Sequence, residues 1–185
     1  MPVPSLPSCN HPLVEIRPLL AADIPHWYAY LRDPEVVRHT SWQLRDIHDL
    51  YALFNSYQLE GKETPLRFAI AERCADGSTG RLIGSMGFNQ RSVQHRHAEI
   101  AYDLAPDWWG RGIATTICQD ACEWALQSQR WLRVQACVLD TNAASIRVLE
   151  KAGFEREGCL RSYRVVRDAP RDFFMYARVA AYVTP

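Results

Sequence analysis

The chain has 185 residues, with 21 lysines and arginines against 21 aspartates and glutamates and 48% hydrophobic residues. That length suits one domain with a sizeable core, and the balanced charge supplies no global field for nucleic acid or an anionic membrane. No apolar run approaches the roughly 18 residues of a membrane span, and no charged segment followed by an apolar one opens the chain, so a soluble, cytoplasmic protein is expected.

Residues 1–12 contain Pro2, Pro4, Pro7 and Pro12 and no periodicity, which reads as a flexible lead-in to a domain spanning 13–185. Val14 to Pro18 is a first strand. Asp23 is placed to cap a helix through Leu31, with Pro25 in its first turn, and Asp33-Pro34 ends that helix. A second helix is expected from about Leu44 to Gln58, its apolar face built from Ile47, Leu50, Tyr51 and Phe54. This helical pair is rich in aromatic rings, which serve either ordinary packing or the wall of a groove; Trp27 and Trp42 are the candidates for facing a substrate. Leu66 to Arg73 and Leu82 to Phe88 read as strands around the turn Asp76-Gly77-Ser78-Thr79-Gly80.

No metal site is expected. Gln94-His95-Arg96-His97 reads as a polar turn without a surrounding set of zinc spacing, and Cys118 and Cys122, one helical turn apart, as small residues on a packed helix. Further on, Leu132 to Leu139 is a strand, Asn142 to Lys151 a helix with Gly153 near its C-terminal cap, and 154–168 and 172–183 are two last strands.

The stretch that organises the chain is Ala98 to Leu126. Glu99 to Leu104 alternates as a strand that Pro106 stops, and from Ile113 onward Ile113, Ile117, Ala121, Trp124 and Ala125 recur at helical spacing. Between them lies Trp109-Gly110-Arg111-Gly112-Ile113-Ala114. Two glycines at the mouth of a helix let the backbone approach a ligand where the first N–H groups lack internal partners, an arrangement suited to a phosphate, with Arg111 as a charge-assisted partner. A plain tight turn has the same local pattern. A Walker loop is excluded because Ile113 and Ala114 follow Gly112, and a dinucleotide fingerprint because Thr115 stands where its third glycine would be.

This loop resembles the acetyl-CoA pyrophosphate loop of the GNAT superfamily of N-acetyltransferases, Gln/Arg-x-x-Gly-x-Gly/Ala. Trp109 replaces the Gln or Arg, as in the branch of ribosomal-protein N-terminal (RimJ/RimL-type) acetyltransferases. A second block, Asp140-Thr141-Asn142-Ala143-Ala144-Ser145 followed by Val148-Leu149-Glu150-Lys151-Ala152-Gly153-Phe154, resembles the same branch. The resemblance implies a single-domain α/β fold: a mixed, mostly antiparallel sheet of six or seven strands, splayed near its centre and flanked by about four helices. It implies acetyl-CoA as co-substrate, held by Trp109, Gly110, Arg111, Gly112, Ile113, Ala114 and Thr115, with Asn142 and Leu104 along the pantetheine arm and the Asp103 N–H polarising the thioester carbonyl.

By the same resemblance Glu99 is the candidate base. A solvated carboxylate or an arginine partner is the alternative reading. The tyrosine that many members carry seven residues after the asparagine is Leu149 here, so Ser145 is the candidate proton donor to the departing thiolate, the alternative being a helix-start serine. Freeing an α-amine of its proton at pH 7 costs about 1 kcal/mol and freeing a lysine roughly 4–5 kcal/mol. A single glutamate therefore favours a protein N-terminal α-amine as acceptor, with a small amine or a non-catalytic CoA-binding role as alternatives. Both monomers and homodimers occur among such proteins.

Overall fold

Alternating and doubly apolar runs form seven strands, β1 (Val14–Pro18), β2 (Leu66–Arg73), β3 (Thr79–Ser92), β4 (His97–Leu104), β5 (Arg133–Leu139), β6 (Glu155–Val166) and β7 (Ala169–Val179). Helices α1 (Ile24–Leu31), α2 (Pro34–Val37), α3 (Ile47–Tyr57), α4 (Ile113–Glu123) and α5 (Ala143–Lys151) connect them. The computed structural model describes residues 6–181. In it the strands make one sheet in the order β1-β2-β3-β4-β5-β7-β6, antiparallel throughout except where β4 meets β5.

Both faces are covered, which is why four successive residues of β2, Phe68 to Ala71, are all buried. Phe68 and Ile70 join the larger core with Ile113, Ile117 and Ala121 of α4, whereas Ala69 joins Ile24, Trp27, Leu31 and Leu50 of α1 and α3. The alternation in β4 sorts its residues in the same way. Ala98, Ile100 and Leu104 belong to the α4 side, and Glu99, Ala101 and Asp103 face α1 and α3.

Local details depart from the sequence reading for identifiable reasons. The Asp23 carboxylate does not cap α1; it accepts the Leu20 N–H at 2.9 Å and both terminal nitrogens of Arg17 at 2.7 and 2.6 Å. α3 starts at Ile47 rather than near Leu44 because Asp46 caps it, its carboxylate accepting the His48 N–H at 2.7 Å. β3 runs well beyond Leu82–Phe88, since pairing continues from Thr79 opposite Arg73 to Ser92 opposite His97. Residues 6–12 are tied to the domain rather than free: Asn10 donates through its main-chain N–H and its side-chain amide to the two oxygens of buried Asp120 on α4, both at 2.7 Å. Residues 1–5 of the expected lead-in lie outside the described residues. Among the described residues no helix is long and apolar enough to cross a membrane.

The sheet opens in its middle. β4 and β5 run parallel but register only at His97, Ala98 and Glu99 opposite Arg133, Val134 and Gln135. Beyond that point β4 stays with β3 as far as Leu104, and β5 stays with β7 as far as Leu139. β3 reaches this region through Gly87, which lies between Arg67 of β2 and Ala101 of β4. A Cβ at Gly87 would sit 1.9 Å from the Leu66 carbonyl oxygen, so only glycine lets these strands approach. Gly87→Ala is expected to destabilise the fold by about 1–3 kcal/mol in urea unfolding. Gly158→Ala, at an exposed position with nothing within 4 Å of the new Cβ, should stay within about 0.5 kcal/mol of the parent.

Candidate active site

The parting of β4 and β5 produces a cleft of about 710 Å³ that passes from one face of the sheet to the other. On the α1–α3 face it is lined by Glu99, Arg164, Arg67, Tyr57, Trp27 and Trp42, and on the α4–α5 face by Tyr102, Asn142, Ser145 and Leu149. The two candidate substrate aromatics thus border one cavity but differ in character. Trp27 is 2% exposed with an indole N–H that lacks a partner, while Trp42, 41% exposed, stands at the rim on the segment before α3.

Glu99 is 6% exposed. One carboxylate oxygen lies 3.4 Å from an Arg164 terminal nitrogen; the other is buried with no hydrogen-bond partner. Arg164 is held on β6 with its guanidinium 5.0 Å from the Tyr163 ring centre and 5.4 Å from that of Phe173. Burial opposes its charge, yet the Glu99 carboxylate, with Tyr163 and Cys137, holds its pKa above the ordinary arginine value. Cys137 shares this wall, and burial, followed by the charge of Glu99, pushes its thiol up to about 11, which keeps it protonated. The arrangement leaves one buried carboxylate oxygen of Glu99 available to a donor in the cleft.

Asp103 takes a different place from the one expected. Its side-chain oxygens accept from the Tyr30 hydroxyl, from the Ser85 hydroxyl at 2.7 Å and from the Ser85 N–H at 3.2 Å. Burial and the adjacent Asp103 charge raise the Tyr30 pKa well above its usual value, so this hydroxyl remains a donor. The Asp103 N–H does not face the gap either. The Ala105 N–H donates to the Ile83 carbonyl at 2.8 Å, and the register from Glu99 to Leu104 is unbroken, so the N–H groups of Asp103 and Ala101 also turn to β3. Those of Tyr102 and Leu104 are directed to the side that β5 has left.

The glycine loop follows the end of β4. Gly110 and Gly112 have φ of +74° and +79°, the left-handed region, and a Cβ built on either would meet nothing within 4 Å. Gly112 precedes Ile113 at the head of α4 without a side-chain cap, so the first-turn N–H groups there, including those of Ala114 and Thr115, are left to a ligand. Ile113 is buried and anchors the helix start. The Trp109 indole N–H donates to the Leu104 carbonyl at 2.9 Å, fixing the loop to the end of β4. Arg111 stays at the exposed rim, donating to the Asp107 carbonyl at 2.8 Å with its guanidinium 4.9 Å from the Trp108 ring centre.

A residue from the lead-in supports this loop. The buried His11 ring accepts the Leu13 N–H at Nδ1, 3.3 Å, which leaves Nε2 to donate to the Arg111 carbonyl at 3.1 Å. Across the gap, Asn142 caps α5 by accepting the Ser145 N–H at 3.2 Å, which puts Ser145 in the helix's first turn on the cleft wall. Facing it from β4 is Tyr102, a residue that the sequence pattern assigned only to a strand face. Its hydroxyl is buried beside Ser145 and Cys118 without a well-formed hydrogen bond, and burial, then Cys118, raises its pKa far above the usual value. A neutral phenol therefore stands by Ser145, supplied by the strand rather than by α5.

The chain is similar to known proteins in sequence and in fold. A family model described as an acetyltransferase (GNAT) domain matches residues 14–155. An uncharacterized N-acetyltransferase, p20, of Bacillus licheniformis is 30% identical over 80% of this chain and 82% of its own length. The ribosomal-protein-serine acetyltransferase of Escherichia coli is 35% identical over 53% of this chain and 55% of its own. In fold, the chain is similar to a spermidine N-acetyltransferase from Vibrio cholerae solved with CoA and spermine, with a TM-score of 0.78, 18% identity and coverage of 91% and 96%.

Removal of the His11 donor tests whether this segment supports the loop. His11→Ala is expected to destabilise the fold by about 0.5–1.5 kcal/mol in urea unfolding, the range for one hydrogen bond. An unchanged midpoint would mean that the loop keeps its form without His11.

Proposed function

The chain belongs to the GNAT acetyltransferase family, and on that premise we propose that it transfers the acetyl group of acetyl-CoA to a primary amine, foremost the α-amine of a protein N-terminus. The observation that carries the reading is the through-sheet gap, which has the available oxygen of Glu99 on one face and Ser145 on the other, with the glycine loop tied to the end of β4 by Trp109. The fit to the co-substrate rests on this chain's geometry: a two-glycine cradle with open space, orphan N–H groups at a helix start, and a slot between parting strands.

Each residue then has a task. Glu99 takes the proton from the incoming ammonium, directly or through water, using the oxygen that Arg164 leaves available. The N–H groups of Tyr102 and Leu104, rigid in β4, stabilise negative charge developing on the acyl oxygen. Ser145, with the neutral Tyr102 phenol beside it, delivers a proton to the leaving sulfur. Gly110 to Thr115 hold the pyrophosphate, and Asn142 orders the start of α5 beside the pantetheine arm.

An α-amine is favoured over a lysine by the modest strength of a single carboxylate base. The similarity to a ribosomal-protein acetyltransferase supports the same choice. A small amine is the second reading. The six cysteines carry no disulfide, which fits a cytoplasmic setting.

Acetyl-CoA consumption and thiol release against free and N-terminally blocked peptides test the activity; turnover lost on blocking supports it. Glu99→Gln should lower kcat by about 10²–10⁴-fold with little change in the KM for acetyl-CoA. An unchanged rate and pH profile in that variant would remove Glu99 from the role.

A further inference from the structure

The charged residues lining the α1–α3 side of the cleft are Asp49, Arg67, Glu99, Asp103 and Arg164. Apart from Arg67, each has a close polar partner. Glu99 faces Arg164, Asp49 is bound by Arg45 at 2.7 Å, and the Asp103 oxygens hold the Tyr30 and Ser85 hydroxyls. His39 also lines the cleft, and burial, followed by the neighbouring Arg38 charge, lowers its pKa and keeps it neutral near pH 7. Arg67 remains as the cation with no carboxylate paired to it among the described residues.

Arg67 is half-buried. Its guanidinium lies 5.5 Å from the Tyr57 ring centre, and one terminal nitrogen donates to the Ala101 carbonyl at 3.3 Å. Its Nε is buried with no partner. Of five N–H donors, one hydrogen bond is made among the described residues. The nearest unpaired acid on this face, Asp103, is two residues from Ala101 and is held by hydroxyls rather than in contact with Arg67, so the half-buried guanidinium keeps donors free for an anion arriving in the cleft. The position is also specific. Reaching Ala101 across Gly87, the guanidinium stands two strand residues from Glu99, about 7 Å along β4, and on the same face.

We propose that Arg67 is the anion-reading residue of the acceptor site: the amine acetylated at Glu99 belongs to a molecule that bears a carboxylate a few bonds away, and Arg67 pairs with it. This rests on the acetyl-transfer reading and narrows the acceptor class. Two sources share the chemistry, the α-carboxylate of a free amino acid and an acidic side chain in the first two residues of a peptide.

Matched pairs separate them. Turnover is compared for an amino acid and its carboxamide, and for peptides with Asp or Asn at the first or second position. The acid of at least one pair should exceed its neutral isostere by about 10- to 100-fold in kcat/KM, the range for a charge-assisted hydrogen bond. Arg67→Met should collapse that ratio to within about twofold of unity, and Arg67→Lys should retain part of it. Circular dichroism melting shows that the variants fold. Calorimetry of the corresponding N-acetylated acid and amide products, with CoA present, reads the same preference without catalysis. Absent turnover with an intact acid preference in binding would sink the acetyl-transfer reading alone. Equal handling of acid and amide by the parent, or a ratio that survives Arg67→Met, would overturn the assignment of Arg67.

Discussion

Everything in this molecule depends on β4 leaving β5 after three paired residues. A strand pair cannot simply be pulled apart in a core, because each buried N–H and C=O left behind is costly. Here the cost is confined. β4 remains paired with β3 through Leu104, and β5 remains paired with β7 along its whole length, so each half of the sheet stays intact while the seam between them opens. What the seam leaves without a β5 partner, the Tyr102 and Leu104 N–H groups, faces the gap. The Leu104 carbonyl is already taken by the Trp109 indole, which couples the end of the seam to the glycine loop.

The same constraint decides which carboxylate is chemically available. Glu99 and Asp103 lie on one face of one strand, four residues apart, yet their surroundings separate their roles. Asp103 is fully engaged by Tyr30 and Ser85 and serves to join α1, β3 and β4. Glu99, at the point of divergence, has a distant arginine contact, the Cys137 thiol beside it and one buried oxygen without a well-formed hydrogen bond. Position along the seam, rather than residue type, leaves one carboxylate fully engaged and the other with an oxygen open to the cleft.

Much of this was legible in the sequence, and the failures have a common cause. The glycine loop, the Asn142 cap and the order of strands and helices follow from local spacing, and the structure places Gly110 and Gly112 in the left-handed region that such a loop requires. The error at Asp103 was one of parity: spacing places a residue near the gap, but which N–H groups face it is fixed by the pairing with β3. Arg164 lies 65 residues from Glu99, and Arg67 reaches Ala101 over 34 residues and across an intervening strand. Tyr102 looked like ordinary alternation, and the supporting His11 sat in a proline-bearing segment that composition marks as free. None of these has a local signature, because each is created by tertiary pairing.

The most direct measurement is residue-resolved amide hydrogen exchange by NMR, with and without acetyl-CoA. The Tyr102 and Leu104 amides should exchange readily in the free protein and become protected on binding, while Asp103 stays protected in both states. Protection that appears at Asp103 on binding, with Tyr102 and Leu104 unaffected, would contradict the register of the seam and the site built on it.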